Sequence, residues 1–202
     1  MFTLEVIDVT SINWRTLATD FLEKRTQPNV ESSFNRNKQK KVRINENLRL
    51  VPFDRIRVES LKWYQDPKSM RNIVGTYSKY SVQQIQRMYH WQDEHGLLYY
   101  IEYKNGKQFQ IVGDVWLADD DYAIVIDQAF RNRHIGRMVT KYFIYKSQKM
   151  GRDHIIVSEI FNWNKASQQM FKKLGFTPFA KQKDSWSYRK QISIRKTIKN
   201  TR

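Results

Sequence analysis

Three strand-like segments succeed one another between Leu97 and Asp127, and they constrain the fold more than any other feature of the chain. "LLYYIEYK" (97–104) and "KQFQIVGDVWL" (107–117) are rich in aromatic and β-branched residues and flank Asn105-Gly106. An Asn-Gly pair between two such runs is a strong short-range hairpin signal, because both residues tolerate positive φ. "ADDD" (118–121) is a second turn, and "YAIVID" (122–127) is a third strand. The middle of the chain is therefore expected to be an antiparallel meander.

Beyond Asp127 the hydrophobic period changes. Ile135, Met138, Val139, Tyr142 and Phe143 fall on one helical stripe, and Gly151 is placed to end that helix. "HIIVSEIF" (154–161) reads as a strand, so strand, helix and strand predict a parallel pair. Asn164 is expected to cap a short helix carrying Met170, Phe171 and Leu174, closed by Gly175. "FTPFA" and "SWSYRKQI" predict a last hairpin. Upstream, "LRLVPF" (48–53) alternates like a strand. Leu61, Trp63 and Tyr64 lie in a helical context that Asp66-Pro67 ends or kinks. Ser81 with Gln84 forms a capping-box pattern before Ile85, Met88 and Tyr89, and Gly96 stops that helix. Residues 4–9 suggest a strand and 11–25 a helix, followed by a polar, basic linker. The expected class is α/β, with a mixed, mainly antiparallel sheet of about six to seven strands flanked by helices.

Composition narrows the chemistry. There is no cysteine, which excludes disulfides, thiolate metal sites and a cysteine nucleophile. His90 and His95 are poorly spaced for one helical face, so no metal site is expected. No apolar run approaches the roughly 20 residues of a membrane span, and the first residues lack the basic start of a signal peptide, so a cytoplasmic protein with no membrane partner is expected. The net charge is +16, from 36 basic and 20 acidic residues. It is concentrated in residues 36–49, 131–152 and 181–202, patches that attract phosphates, nucleic acid or acidic protein surfaces.

The segment "RNRHIGR" (131–137) joins the third strand to the long helix. A helix start exposes unpaired N–H groups and the positive end of the dipole, and three arginines add attraction for phosphate. Gly136 would let a ligand approach the backbone. On these grounds alone the segment is either an anion site or a solvated basic turn.

Its surroundings carry a resemblance. "VIDQAFRNRHIGRMV" resembles the pyrophosphate-binding segment of the GNAT superfamily of N-acetyltransferases, with core pattern [QR]-x-x-G-x-[GA]. Arg131, Ile135 and Gly136 fit it, while His134 stands where the family usually has its first glycine. "NKASQQMFKKLGF" (164–176) resembles the second signature, N-x-x-[AS]-x-x-x-Y-x-x-x-G-F. Asn164, Ser167, Gly175 and Phe176 match, and Phe171 takes the tyrosine place. The resemblance covers roughly residues 48–192 and is nearest to ribosomal-protein N-terminal acetyltransferases.

That resemblance implies a sheet whose central parallel strands splay apart around acetyl-CoA, the co-substrate, with no metal. It implies cofactor contacts from Ile126, Gln128, Arg131, Asn132, Arg133, His134, Ile135, Gly136, Arg137, Asn164, Ser167 and Phe171. Glu159 is the implied general base, at the place where ribosomal-protein alanine N-acetyltransferases carry one. Strand alternation puts it on a face with Ile155, Val157 and Phe161. The alternative for Glu159 is a structural carboxylate paired with an arginine. Phe171 cannot protonate a leaving thiolate, and Tyr142, Tyr145 and Tyr188 are the substitutes in principle. Trp63, Tyr64 and Asp66 would border the acceptor. Asp114 and Asp119–Asp121 could hold a cationic amine, although a solvated turn is the favoured reading of the latter cluster.

The expected domains are residues 1–46 as a partly helical extension with a basic linker, 47–192 as the transferase domain, and 193–202 as a basic tail. The expected function is direct acetyl transfer to a primary amine, either a protein N-terminus or a small polar amine. An acyl-CoA-binding protein of the same fold with little transferase activity is the alternative, and a nucleic-acid module is a third reading. The expected partners are acetyl-CoA, the amine, and an acidic or RNA-associated protein, with a homodimer as one option.

Overall fold

The computed structural model describes residues 39–193. The strand and helix read in residues 4–25 lie outside them. β1 (Val42–Arg43), β2 (Leu48–Pro52), β3 (Leu97–Asn105), β4 (Gln108–Leu117) and β5 (Tyr122–Ile126) form one antiparallel sheet in that order. β6 (His154–Phe161), β7 (Thr177–Lys181) and β8 (Ser185–Gln191) form a second, with β8 in the middle. The helices are α1 (Val58–Gln65), α2 (Pro67–Val74), α3 (Val82–His95), α4 (Ile135–Lys149) and α5 (Lys165–Lys173). None of the described helices is long and apolar enough to cross a membrane.

Local chemistry sets most boundaries. Asp66 ends α1 and caps α2, accepting a hydrogen bond from the Ser69 N–H while Pro67 opens the new helix. Ser81 and Gln84 form the reciprocal capping box of α3. The β3–β4 loop is Gly106-Lys107, with Gly106 at φ 64°. It lies one residue later than the Asn-Gly pair suggested, and Asn105 pairs with Gln108 as the last rung. β1 pairs with β2 through Val42 opposite Leu50, so the sheet reaches into residues read as linker.

The first sheet is covered on both faces. Leu97, Tyr99, Ile101, Val115 and Leu117 point to a core shared with Val139 and Phe143 of α4. Leu98, Tyr100, Asp114 and Trp116 alternate to the other face, where Trp116 donates to the Gln92 carbonyl of α3 at 2.7 Å. This explains why "LLYYI" is one unbroken buried run.

The predicted parallel pair is not a hydrogen-bonded one. No ladder joins β5 to β6 among the described residues; β6 pairs with β8. The sheet expected as single and six- to seven-stranded is thus two sheets of eight strands, parted at the expected splay. The parting has a local cause. Asp121 is buried just before β5, and its Oδ1 accepts the Ser158 N–H of β6 at 2.7 Å. A side chain therefore takes a bond that a ladder would use.

β4 carries its own irregularity. Ile101 faces Gly113 and Glu102 faces Ile111, so Val112 is the extra residue of a bulge. The Val112 carbonyl accepts the Asp127 N–H at 2.8 Å. A Cβ on Gly113 would sit 2.2 Å from the Val125 carbonyl oxygen, which cannot move without shifting β5. Gly113→Ala is expected to destabilise the protein by about 2 kcal/mol or more, as measured by urea unfolding.

Candidate functional site

β5 runs into a turn at Gln128–Phe130 and then into α4. Asp127 caps the turn: Oδ1 accepts the Ala129 N–H and Oδ2 accepts the Trp63 indole N–H of α1 at 3.1 Å. Trp63 is thus buried as a brace for the turn. Arg131 is a second brace. Its Nε donates to the Ile126 carbonyl at 3.1 Å and its Nη2 to Ser69 Oγ of α2 at 3.2 Å. The Ile126 carbonyl expected to serve a ligand is therefore shared with Arg131. Gln128 is exposed in the turn, and its carbonyl takes the Arg131 N–H at 3.4 Å.

The backbone then makes two left-handed steps. Asn132 has φ 62° and His134 has φ 59°, with ψ 8° at His134, the residue before α4. Asn and His are among the side chains that best tolerate this region. The departure from glycine at position 134 is thus a residue adopting glycine's conformation. His134 makes no side-chain cap, and the first turn of α4 has no acidic residue. The N–H groups of Ile135, Gly136 and Arg137 consequently point out of the helix start without that cap, beside its positive dipole end. Arg133 lies over the Phe130 ring at 5.2 Å, and Arg137 is exposed. Gly136 has a second reason to be glycine: a Cβ there would meet Met170 Sδ of α5 at 3.1 Å.

The second signature serves α5 itself. Asn164 caps that helix by accepting the Ser167 N–H at 3.2 Å. Phe171 is buried, edge-on to Tyr122 at 6.2 Å and to Phe176 at 5.0 Å. The three substitute tyrosines are scattered: Tyr145 is exposed on α4, Tyr142 packs edge-on to Phe143, and Tyr188 lies in the core on β8.

Glu159 does not share a face with Ile155 and Val157. A bulge between Val157 and Ile160 breaks the β6 register, so Ile155, Val157 and Ile160 all enter the α4 core. Glu159 and Phe161 turn the other way. Phe161 meets Gly75 at the end of α2, where a Cβ would lie 2.6 Å from its ring. Glu159 is buried, and its Oε1 accepts a 2.6 Å hydrogen bond from Ser185 Oγ, opposite Phe161 on β8.

On the same side of the first sheet, Asp114 of β4 is also buried. Its Oδ2 accepts the hydroxyls of Tyr64 at 2.8 Å and Tyr89 at 2.5 Å. Burial raises its carboxyl to about 6, against the lowering effect of the Tyr89 and Tyr64 hydrogen bonds. Burial, and then the Asp114 charge, raise both phenols well above their ordinary range. Asp119–Asp121 is neither an acceptor cluster nor a solvated turn. Asp119 pairs with Arg152 at 2.6 Å, and Asp121 is the buried link to Ser158.

Sequence reasoning missed the partners Ser69, Tyr89 and Ser185. Nothing local marks Ser69 or Ser185, and Tyr89 is visible only as part of a helical stripe.

This geometry sets two expected outcomes. A left-handed non-glycine residue costs about 1 kcal/mol. His134→Gly is therefore expected to raise stability by that amount and His134→Val to lower it, read from urea midpoints. Asp114 binds its proton more tightly folded, at about 6, than at the ordinary 3.8. The stability it contributes is full below the ordinary value and is lost as pH rises through about 6, a change of order 3 kcal/mol. Asp114→Asn is expected to flatten that pH dependence in unfolding curves.

Comparison with known proteins bears on this arrangement. The family model described as "Acetyltransferase (GNAT) domain" matches residues 47–177. No curated protein matches in sequence. Among solved structures, a domain from Methanocaldococcus jannaschii is similar over 71% of this chain and 97% of its own, at 17% identity and TM-score 0.61. The spermidine N-acetyltransferase of Vibrio cholerae, in complex with CoA and spermine, covers 73% of this chain and 97% of its own, at 14% identity and TM-score 0.57. A Salmonella typhimurium acetyltransferase that modifies the N-terminal serine of ribosomal protein L7/L12 covers 76% of this chain and 100% of its own, at 14% identity and TM-score 0.57. At these identities the likeness shows the fold alone.

Proposed function

Because the chain belongs to the GNAT family of acetyltransferases, we propose that it transfers the acetyl group of acetyl-CoA directly to a primary amine. The observation that carries this reading is the start of α4. A strand feeds into a helix N-terminus that has no side-chain cap and no acid, through a left-handed residue where the family has glycine. Such a terminus fits a pyrophosphate, which the N–H groups of Ile135, Gly136 and Arg137 would hold. Arg133 and Arg137 add positive charge, while Arg131 keeps the loop in place. Two solved structures of this fold are titled as an amine and a protein N-terminal acetyltransferase, and both acceptor classes suit this chain.

Acetyl-CoA supplies an activated acyl group with a good leaving group. Glu159 takes the proton of the acceptor's ammonium form, which makes the nitrogen nucleophilic. Ser185 fixes the carboxylate by donating to Oε1. Phe171 has no proton to give, so α5 does not assist departure of the thiolate. The thiolate is a weak enough base to leave without a side-chain acid.

Thiol release from acetyl-CoA across a panel of amines and N-terminal peptides tests this. Glu159→Gln is expected to lower kcat by about 10² or more with acetyl-CoA binding kept. Unchanged turnover would overturn the assignment of Glu159. Acetyl-CoA binding without release for any acceptor would favour a binding protein of the same fold.

A further inference from the structure

Asp114 is a buried charge that the transfer chemistry leaves unused. It is 5% exposed, at mid-strand in β4 opposite Val125. Both phenol donors go to Oδ2. No donor reaches Oδ1 among the described residues, nor is Oδ1 among the sealed polar atoms that lack a partner, so it reaches accessible space. No Lys, Arg or His among the described residues pairs with the carboxylate. The groups facing it are Tyr64 from α1, Tyr89 from α3 and Tyr100 from β3. A purely structural carboxylate would have its donors spread over both oxygens, since burying a charge with one oxygen unmet is costly.

Its position gives the free oxygen a use. Asp114 and Glu159 both face the α1–α2 side, on β4 and β6, with half-buried Val125 of β5 between them. Two strand spacings separate their backbones by on the order of 10 Å. A chain of net charge +16 repels cations at long range. It can hold one only where carboxylates are gathered and desolvated, and this face gathers two.

We propose that Asp114 anchors a second cationic group of the acceptor, so that the preferred substrate is an amine carrying another ammonium on the order of 10 Å from the nitrogen that is acetylated. This rests on the reading of Glu159 as the base. Tyr64 and Tyr89 are positioning residues that hold Oδ2 and aim Oδ1. Asp114 only binds: it forms and breaks no covalent bond, and the transferred proton goes to Glu159.

The test compares hexanediamine with hexylamine, which differ only in the second ammonium. The wild-type protein is expected to show a KM about tenfold lower for the diamine, the size of one charge-assisted contact. Asp114→Asn removes that preference with kcat kept, and Tyr89→Phe reduces it. Glu159→Gln lowers kcat on both amines and leaves the KM ratio alone. Equal KM values in the wild type would overturn the proposal, as would an Asp114→Asn loss confined to kcat. If no amine released thiol, the transfer reading would fall. Calorimetric binding of hexanediamine by wild type and Asp114→Asn would still decide the anchor, and equal affinities would sink it.

Discussion

Between β5 and β6 the backbone ladder stops, and much of the site's geometry depends on how that seam is held. Two sheets that share no rungs must be joined by side chains. Val139 and Phe143 of α4, Phe171 of α5, Tyr122 of β5 and Ile155, Val157 and Ile160 of β6 belong to one buried cluster that spans the seam. The Asp121–Ser158 hydrogen bond fixes it on the β5 entry side. Facing strands without a ladder leave backbone donors and acceptors in need of other partners. The same parting is what directs the chain from β5 into the open start of α4.

Two bulges then decide which way the carboxylates point. At Val112 the extra residue lets the Asp127 N–H bond back to β4, and Gly113 makes room for the Val125 carbonyl. The strand beyond it keeps Asp114 on the face of α1 and α3. In β6 the bulge keeps Val157 and Ile160 both in the core and rotates Glu159 out of it. Without that extra residue, period-2 alternation would bury Glu159 against α4. Each irregularity costs ladder hydrogen bonds, and each places an acid on the same side of the molecule.

The elements that can be read from the sequence are those whose cause is local. The Ser81–Gln84 capping box, the Asp66-Pro67 break, the Gly151 terminus at φ 78° and the Asn164 cap depend on residues a few positions apart. The face of Glu159 is not legible, because no glycine or proline marks the β6 bulge. The division into two sheets is not legible either, because the seam depends on Asp121 meeting Ser158, 37 residues later. The partners of the site are equally remote: Tyr89 lies 25 residues from Asp114, Ser185 lies 26 from Glu159, and Ser69 lies 62 from Arg131. Pattern reasoning finds the elements and the acids, but folding alone decides which hydroxyl meets which carboxylate.

Phe171 illustrates how packing can override a family pattern. Its ring sits between Tyr122 and Phe176, and the Tyr122 hydroxyl is already committed to Thr140 at 2.9 Å. Thr140 in turn donates to the Gly136 carbonyl at 2.7 Å, in the first turn of α4. A tyrosine at position 171 would need a partner for a second hydroxyl next to that chain, and an unmet buried hydroxyl costs about 1–3 kcal/mol. The apolar ring removes that demand and lets α5 close against Gly136 through Met170. Stability of the α4–α5 crossing and a proton donor on α5 are thus competing uses of one position. In this chain packing takes it, so proton handling falls to the carboxylates on the opposite face.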